Sequence, residues 1–315
     1  MPKTAYYWDP ICLEHNTGNH AECIERARRV APDNIRRHIP TLDHRPIEAH
    51  ADVIDWICKL HVRAYHDWAK KRCEEESGLA ILDHGDTVVS RRSYDAAITA
   101  VNALLTAADA VVAGQAANAF SAMRPPGHHA LPDEAMGFCL FSNVAIAAKY
   151  LQIHHGVGRI AIVDWDVHHG NGTQHFFYED PSVLFVSLHQ FPLWPGSGRA
   201  SEEGEGPGKG STINIPFAPF TTEADYLATF DARVIPAITH FKPEFILISA
   251  GFDAHARDPL ASLKLTEAGF TQMTHRLRGI AADHCNGRII SNLEGGYDLD
   301  ALENSVAAHV AALMA

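Results

Sequence analysis

The chain has 315 residues, room for one large α/β domain or two ordinary ones. Hydrophobic residues make up 46% and charged residues 20%, with no long run of one sign, which excludes a disordered composition. The formal charge of −12 at pH 7, with His counted neutral, excludes the broad basic footprint of direct nucleic-acid binding. An acidic rim can still attract a single basic group, such as a lysine side chain or a polyamine.

Thr4 lies in a short strand predicted over residues 3–8, and residues 19–31 follow as a helix with Glu22, Glu25, Arg26 and Arg29 on its wet side. Residues 50–76 read as mainly helical or irregular. The clearest helix is 93–114, where alanine and leucine recur at helical spacing and Gly114 offers a stop. A strand over 119–123 runs into "RPPGHHALPDEAMGF", which its prolines and glycines keep irregular. Helix returns at 143–156, and strands follow at 159–166 and 183–189. Residues 191–210 form a long loop, 211–217 a strand, and 225–241 a helix interrupted by Pro236. The strand 244–255 ends at a polar site. A helix over 266–285, a strand and turn over 288–298 and a helix over 299–314 close the chain.

Strands thus alternate with helices, and several strands are continuously apolar. That pattern predicts a parallel sheet covered on both faces. No linker, composition break or internal repeat divides it, so residues 1–315 read as one domain. The six cysteines form no C-x-x-C and match neither a zinc finger nor a disulfide framework. "MPKTAYYWDP" lacks an apolar signal core, and no 18-residue stretch reads as a membrane span. The expectation is a soluble, cytoplasmic protein without membrane contact.

Four polar points follow four predicted strands: His128–His129, Asp164–His168, Asp253–His255 and Tyr297. Ligands in open parallel sheets bind outside the carboxyl ends of strands. In "DWDVHHGNGT", Asp164, Asp166 and His168 are spaced two apart and share one face of an extended segment. Carboxylates rarely face a dry core unless paired or bound to metal. Asp253 in "ISAGFDAH" supplies a third group. Asp166, His168 and Asp253 give two oxygens and one nitrogen, the three ligands of a catalytic zinc site with an open position. Iron(II) or cobalt accepts the same set. Asp164 reads instead as an orienting partner for an imidazole or a ligand of a harder cation, and Asn171 as a residue of related use or a plain turn residue.

His128 and His129 sit together on a stiffened loop and have the right intrinsic pKa for proton transfer. One suits a general base, as His129 would beside a metal-bound water, and the other, as His128, a positive charge that aids amine departure; the sequence leaves the order of these roles open. The second pair, His154–His155 in "IHHG", reads as ordinary histidines at a helix end. Tyr297 follows "EGG" and offers a phenol to a developing oxyanion. Phe138 and Trp194 suit the walls of a pocket for an aliphatic stem, and Cys139 its floor. No serine elbow, Walker motif or dinucleotide fingerprint is present.

At this point the chain resembles the zinc-dependent histone deacetylase superfamily, which includes acetylpolyamine amidohydrolases and bacterial relatives. The resemblance rests on "RPPGHHA", "GFCLFSNVAIAA", "DWDVHHGNGTQHFFYEDPSVLFVSLHQ", "WPGSG", "INIP", "SAGFDAHARDPLA" and "LEGGYD", which together span nearly the whole chain. Asn171 gives it a class II flavour. The resemblance implies an arginase-like, three-layer α/β/α fold around a mainly parallel eight-stranded sheet. It implies one catalytic Zn²⁺ on Asp166, His168 and Asp253, catalytic His128, His129 and Tyr297, and Asp164 and Asn171 paired with the two histidines. It further implies K⁺ near Asp164, Asp166, His168, Ser187 and Leu188. Substrate positions follow at Gly137, Phe138, Cys139, Trp194, Leu260 and Gly296.

The implied reaction is hydrolysis of an acyl amide on lysine, a polyamine or another small amine, in a chain that relatives suggest is a homodimer or homotetramer. Leu260, where vertebrate polyamine-selective members carry an acidic residue, tilts the reading toward acyl-lysine. The segment "LEHNTGNHAECIERARRV" departs from the family's "HPE-x-PERL", although Glu25 and Arg26 fit its "ER". A two-manganese ureohydrolase and a non-catalytic acyl-binding module are the rival readings.

Overall fold

The computed structural model describes residues 3–75, 77–83 and 85–315. In spatial order, its main sheet joins Asp43–Arg45 (β2), Thr4–Tyr7 (β1), Asn118–Ser121 (β5) and Ile289–Leu293 (β10) to Phe245–Ala250 (β9), Ile160–Asp164 (β6), Val183–Gln190 (β7) and Thr212–Phe217 (β8). Every neighbouring pair is parallel. All eight carboxyl ends therefore leave along one edge. Ala80–Ile81 (β3) and Val88–Val89 (β4) form a separate antiparallel pair.

Successive side chains of a strand alternate faces, and here both faces are dry. Ile160, Ile162, Phe245 and Leu247 join one buried cluster, while Ala161, Val163, Ile246 and Ile248 join the other. This is why the central strands read as unbroken apolar runs rather than alternating ones. The first cluster is covered by Val53–Ile57 (α3), Arg63–Glu74 (α4), Ser93–Val112 (α5), Asn143–Ile153 (α6) and Asn171–Phe177 (α7). Glu223–Thr229 (α8), Ile235–Phe241 (α9), Glu267–His284 (α10) and Leu299–Met314 (α11) cover the second, with Ile24–Arg29 (α1) and Pro32–Ile35 (α2) packed on α11. The result is the three-layer α/β/α architecture with eight parallel strands that the sequence resemblance implies.

Three sequence expectations are corrected. Instead of a helix over 19–31, only Ile24–Arg29 is helical, and Glu22 and Arg26 are fully buried rather than wet. Their burial is tolerated because they pair with each other, while Glu22 also pairs with Arg124 and Arg26 donates to the Gly296 and Glu294 carbonyls. The second concerns α5, which is long and apolar enough to cross a membrane by length and composition, although no such stretch was expected. Within the fold, 72% of that apolar window is buried. The third is the helix over 225–241, which divides into α8, a π-turn over Phe230–Val234 and α9. Pro236 lies in the first turn of α9, where a missing N–H costs little. Residue 76, the end of the predicted 50–76 segment, lies outside the described residues.

Candidate metal centre and active site

β5, β10, β9 and β6 are adjacent, and the four polar points follow their carboxyl ends. Asp164 is the last residue of β6, after which the backbone turns and presents Asp166 and His168. Past β9, the chain leaves the sheet and brings Asp253 to the same place. One donor atom from each of Asp166, His168 and Asp253 lies within 4.8 Å of the others. His168 Nδ1 is 3.1 Å from Asp166 Oδ1 and 3.2 Å from Asp253 Oδ2.

The remaining carboxylate oxygens are held by the backbone. Gly295 N donates to Asp166 Oδ2 at 2.8 Å, and Val167 N donates to Asp253 Oδ1 at 2.8 Å. Position 295 must be glycine, since a Cβ there would lie 2.1 Å from Asp253 Oδ2. Both aspartates are buried, so their charges need a cation. Burial pushes the His168 pKa down, but Asp166 and Asp253 outweigh it and raise it to about 10. Two carboxylate oxygens and one imidazole nitrogen fit zinc and leave a coordination position open.

Beside this cluster, the His128 and His129 rings lie close together, tilted by 42° with centroids 3.8 Å apart. His128 Nδ1 lies 2.9 Å from Asp164 Oδ2, and His129 Nδ1 lies 2.7 Å from Asn171 Oδ1. Burial lowers both pKa values, but Asp164 and Asp166 reverse this for His128 and raise it to about 10. His129 Nδ1 has an amide rather than a carboxylate as its partner, and burial together with the charges on His128 and His168 outweighs the opposing pull of Asp166 and drives its pKa well below the ordinary value. The two rings are thus pushed in opposite directions, the kind of separation that divides acid from base.

Tyr297 enters from the turn after β10. Its backbone N donates to buried Asp258 Oδ2 at 2.7 Å, and Arg26 lies over its ring, 5.0 Å from the centroid. Arg26 also donates to the Gly296 and Glu294 carbonyls at 2.7 and 2.6 Å. Among the described residues, the Tyr297 hydroxyl has no hydrogen-bond partner. Burial keeps its pKa well above the ordinary value, against the opposing effect of Arg26, so it remains a proton donor.

Half-buried Phe138 meets the Tyr297 ring edge-on at 5.9 Å, and Trp194 meets His129 edge-on at 4.7 Å. Gly137 lies between His129 and Trp194. Cys139 is fully buried beneath, its thiol donating to the Gly137 carbonyl at 3.3 Å. Leu260 is 37% exposed and donates its N–H to Asp258 Oδ1. Asp164 and Ser187 are cross-strand partners on β6 and β7, next to buried Leu188, an oxygen-bearing neighbourhood suited to a hard cation. A cleft of about 920 Å³ on the far side of Asn171, lined by Gln174, His175 and Ser197, includes none of the three metal-ligand candidates.

The pattern of the histone deacetylase domain matches residues 20–313. The chain belongs to the histone deacetylase family. It is 38% identical over 315 residues to "Histone deacetylase 10, chloroplastic" of Oryza sativa subsp. japonica, covering 96% of this chain and 71% of that protein. It is 37% identical over 313 residues to the "Histone deacetylase-like amidohydrolase" of Pseudomonas aeruginosa, covering 94% and 82%. The crystal structure of the HDA15 HD domain superposes with a TM-score of 0.92 at 34% identity, over 99% of this chain and 89% of that one. This histone deacetylase domain is thus an amidohydrolase-type fold for N-acylated amines.

Sequence reasoning missed several residues that shape this histone deacetylase site. Glu294, fully buried, accepts from Gly127 N at 2.7 Å and His128 N at 3.2 Å, tying the histidine loop to β10. Asp258 holds the backbone of Tyr297. Glu22, Arg26 and Arg124 form the buried ionic support behind it. Carboxylates immediately after apolar strands were the available signal for Glu294, as they were for Asp253. The i, i+4 pairing of Glu22 with Arg26 was the signal for that ion pair.

Proposed function

We propose that this histone deacetylase-family domain is a zinc-dependent deacylase that hydrolyses short acyl amides of lysine side chains. The observation that carries the reading is the adjacent histidine pair, one ring held by Asp164 and the other by Asn171, beside the Asp166–His168–Asp253 cluster. A zinc ion held by those three residues would polarise the amide carbonyl and lower the pKa of an attacking water.

The remaining work falls to the chain's own groups. Phe138 and Trp194 flank the aliphatic stem and bring the amide toward His129. Neutral His129 takes the proton of the attacking water, with Asn171 fixing its ring at Nδ1. Tyr297 Oη donates to the carbonyl oxygen as negative charge develops there. His128, kept charged by Asp164, supplies positive charge beside the departing amine, and the proton collected at His129 is returned to that nitrogen. Acetate and a free amine are the products. Potassium would be held by Asp164, Ser187 and Leu188 with the backbone oxygens of Asp166 and His168, adding positive charge beneath the histidine pair. Leu260 places no carboxylate at the mouth position that favours a second ammonium, which supports acyl-lysine over acylpolyamine.

The test compares acetyl-lysine peptides with acetylpolyamines on zinc-loaded and metal-stripped protein. Zinc-dependent hydrolysis with preference for the peptides is expected. Asp253→Asn keeps an acceptor for Val167 N while removing charge, and its zinc affinity should fall by more than the roughly 10–100-fold that loss of an outer partner costs. Zinc-loaded protein with no turnover on either class overturns the proposal.

A further inference from the structure

We propose that Asp109, His154 and His155, supported by His50, form a second site for a divalent transition metal. It is separate in the fold from the catalytic cluster. Asp109 lies in the last turn of α5, and His154 and His155 follow α6, which packs against α5. These helix ends lead into the amino ends of β5 and β6, whereas the catalytic cluster lies beyond the carboxyl ends.

The donors are assembled. One atom from each of Asp109, His154 and His155 lies within 4.8 Å of the others. His155 Nε2 is 2.7 Å from Asp109 Oδ1. His50 Nε2 is 3.7 Å from the other oxygen, Oδ2, and this buried nitrogen has no hydrogen-bond partner. A buried imidazole nitrogen without a partner is costly, and a metal ion that recruited it would satisfy it.

The rings are also held in place. His154 stacks on Tyr150 at 4.8 Å and 9°, while His50 and His155 meet the same ring edge-on at 5.8 and 5.2 Å. Trp56 closes on Tyr150 edge-on at 4.9 Å. Tyr150 Oη donates to Asp109 Oδ1 at 2.8 Å and so aims that carboxylate, the part an outer partner plays at metal centres. The carboxyl end of α6 carries partial negative charge and favours a cation. Imidazole nitrogens with a single carboxylate suit zinc, nickel or copper rather than magnesium or calcium, which prefer all-oxygen sets. An ion here would join α5 to α6 and fasten the segment bearing His50 against both.

The experiment is zinc stoichiometry on the full chain by equilibrium dialysis and elemental analysis, paired with thermal melting. Wild type is expected to bind about two zinc ions per chain and the His154→Asn/His155→Asn variant about one, with amide hydrolysis unchanged. In an Asp253→Asn background, one equivalent should remain and zinc should still raise Tm, and both effects should vanish when the histidine pair is also replaced. The exposed His154→Asn single variant serves if the double variant fails to fold, and should weaken the second equivalent. One zinc per wild-type chain, or two that the histidine variants leave undiminished, overturns the proposal. Because the histidine variants are read by metal content, the result is independent of whether the catalytic site cleaves amides.

Discussion

The His128 and His129 rings lie 3.8 Å apart, yet one faces a carboxylate and its neighbour faces an amide. The charge of the pair is therefore written in residues 164 and 171 rather than in the histidines. Replacing the amide tests this. Asn171→Asp would put negative charge 2.7 Å from His129 Nδ1 and raise a pKa that burial and the neighbouring charges hold low. A base acts only when deprotonated, so raising its pKa moves the acidic limb of the kcat/KM profile toward higher pH. A shift of about 1–2 pH units is expected from one close opposite charge. An unmoved limb would remove His129 from the role of base.

Tyr297→Phe removes a hydroxyl that has no partner among the described residues, so the fold should tolerate the change. The ring keeps its contacts with Phe138 and Arg26, and the backbone keeps its bond to Asp258. Loss of one preorganised donor to an oxyanion costs about 10²–10³ in kcat. Zinc content and Tm should match wild type. A kcat within threefold of wild type would show that the phenol takes no part in the transition state.

Much of this was legible in local pattern. The helix over 299–314 was bounded correctly because Asp298 caps it through Ala301 N and its apolar spacing runs to the end. The strand over 244–255 overshot, since pairing stops at Ala250 while small and apolar residues continue; the chain leaves the sheet there to deliver Asp253. β2 was missed because "DHR" carries no strand signal of its own and is extended only through pairing with β1 at the sheet edge. Asp166, His168 and Asp253 stood out as acidic or basic residues after dry strands. Glu22 and Arg26 were assigned to water because charged residues one helical turn apart usually mark a wet face. What buries them is Arg124, remote in sequence and out of reach of local pattern.

That buried ionic group makes its own prediction. Glu22 accepts from Arg26 at 2.8 Å and from Arg124, and lies 3.4 Å from His15. Burial pushes its pKa up, but Arg124 and His15 prevail and hold it well below the glutamate value of 4.5. Glu22→Gln should cost about 3–5 kcal/mol at neutral pH, because it strands two buried guanidinium groups. A carboxylate with a depressed folded-state pKa stabilises above its unfolded value and loses that contribution as pH falls toward the folded value. The gap between wild type and variant, measured by urea unfolding, should accordingly narrow below pH 4.5. A constant gap across that range would show that the effect is packing rather than charge.

Gly137 lies between the His129 and Trp194 rings. Its φ of +55° is strained for any other residue, and a Cβ would lie 2.5 Å from both His129 Cδ2 and Trp194 Cη2. One of the two must give: His129 is held by Asn171, whereas Trp194 packs on the His129 ring and is 44% exposed. On the proposed reading Gly137→Ala should therefore narrow the passage and press on the base, because the three atoms nearest the added methyl belong to His129 and Trp194 and not to a metal ligand. Displacing a catalytic group by about 1 Å can cost 10²-fold in rate. The expected result is wild-type zinc content with kcat/KM lowered at least tenfold, and a larger loss for bulky acyl groups than for acetyl. Equal loss across acyl sizes would assign the effect to His129 alone, and unchanged kcat/KM would mean that substrate does not pass between Gly137 and Trp194.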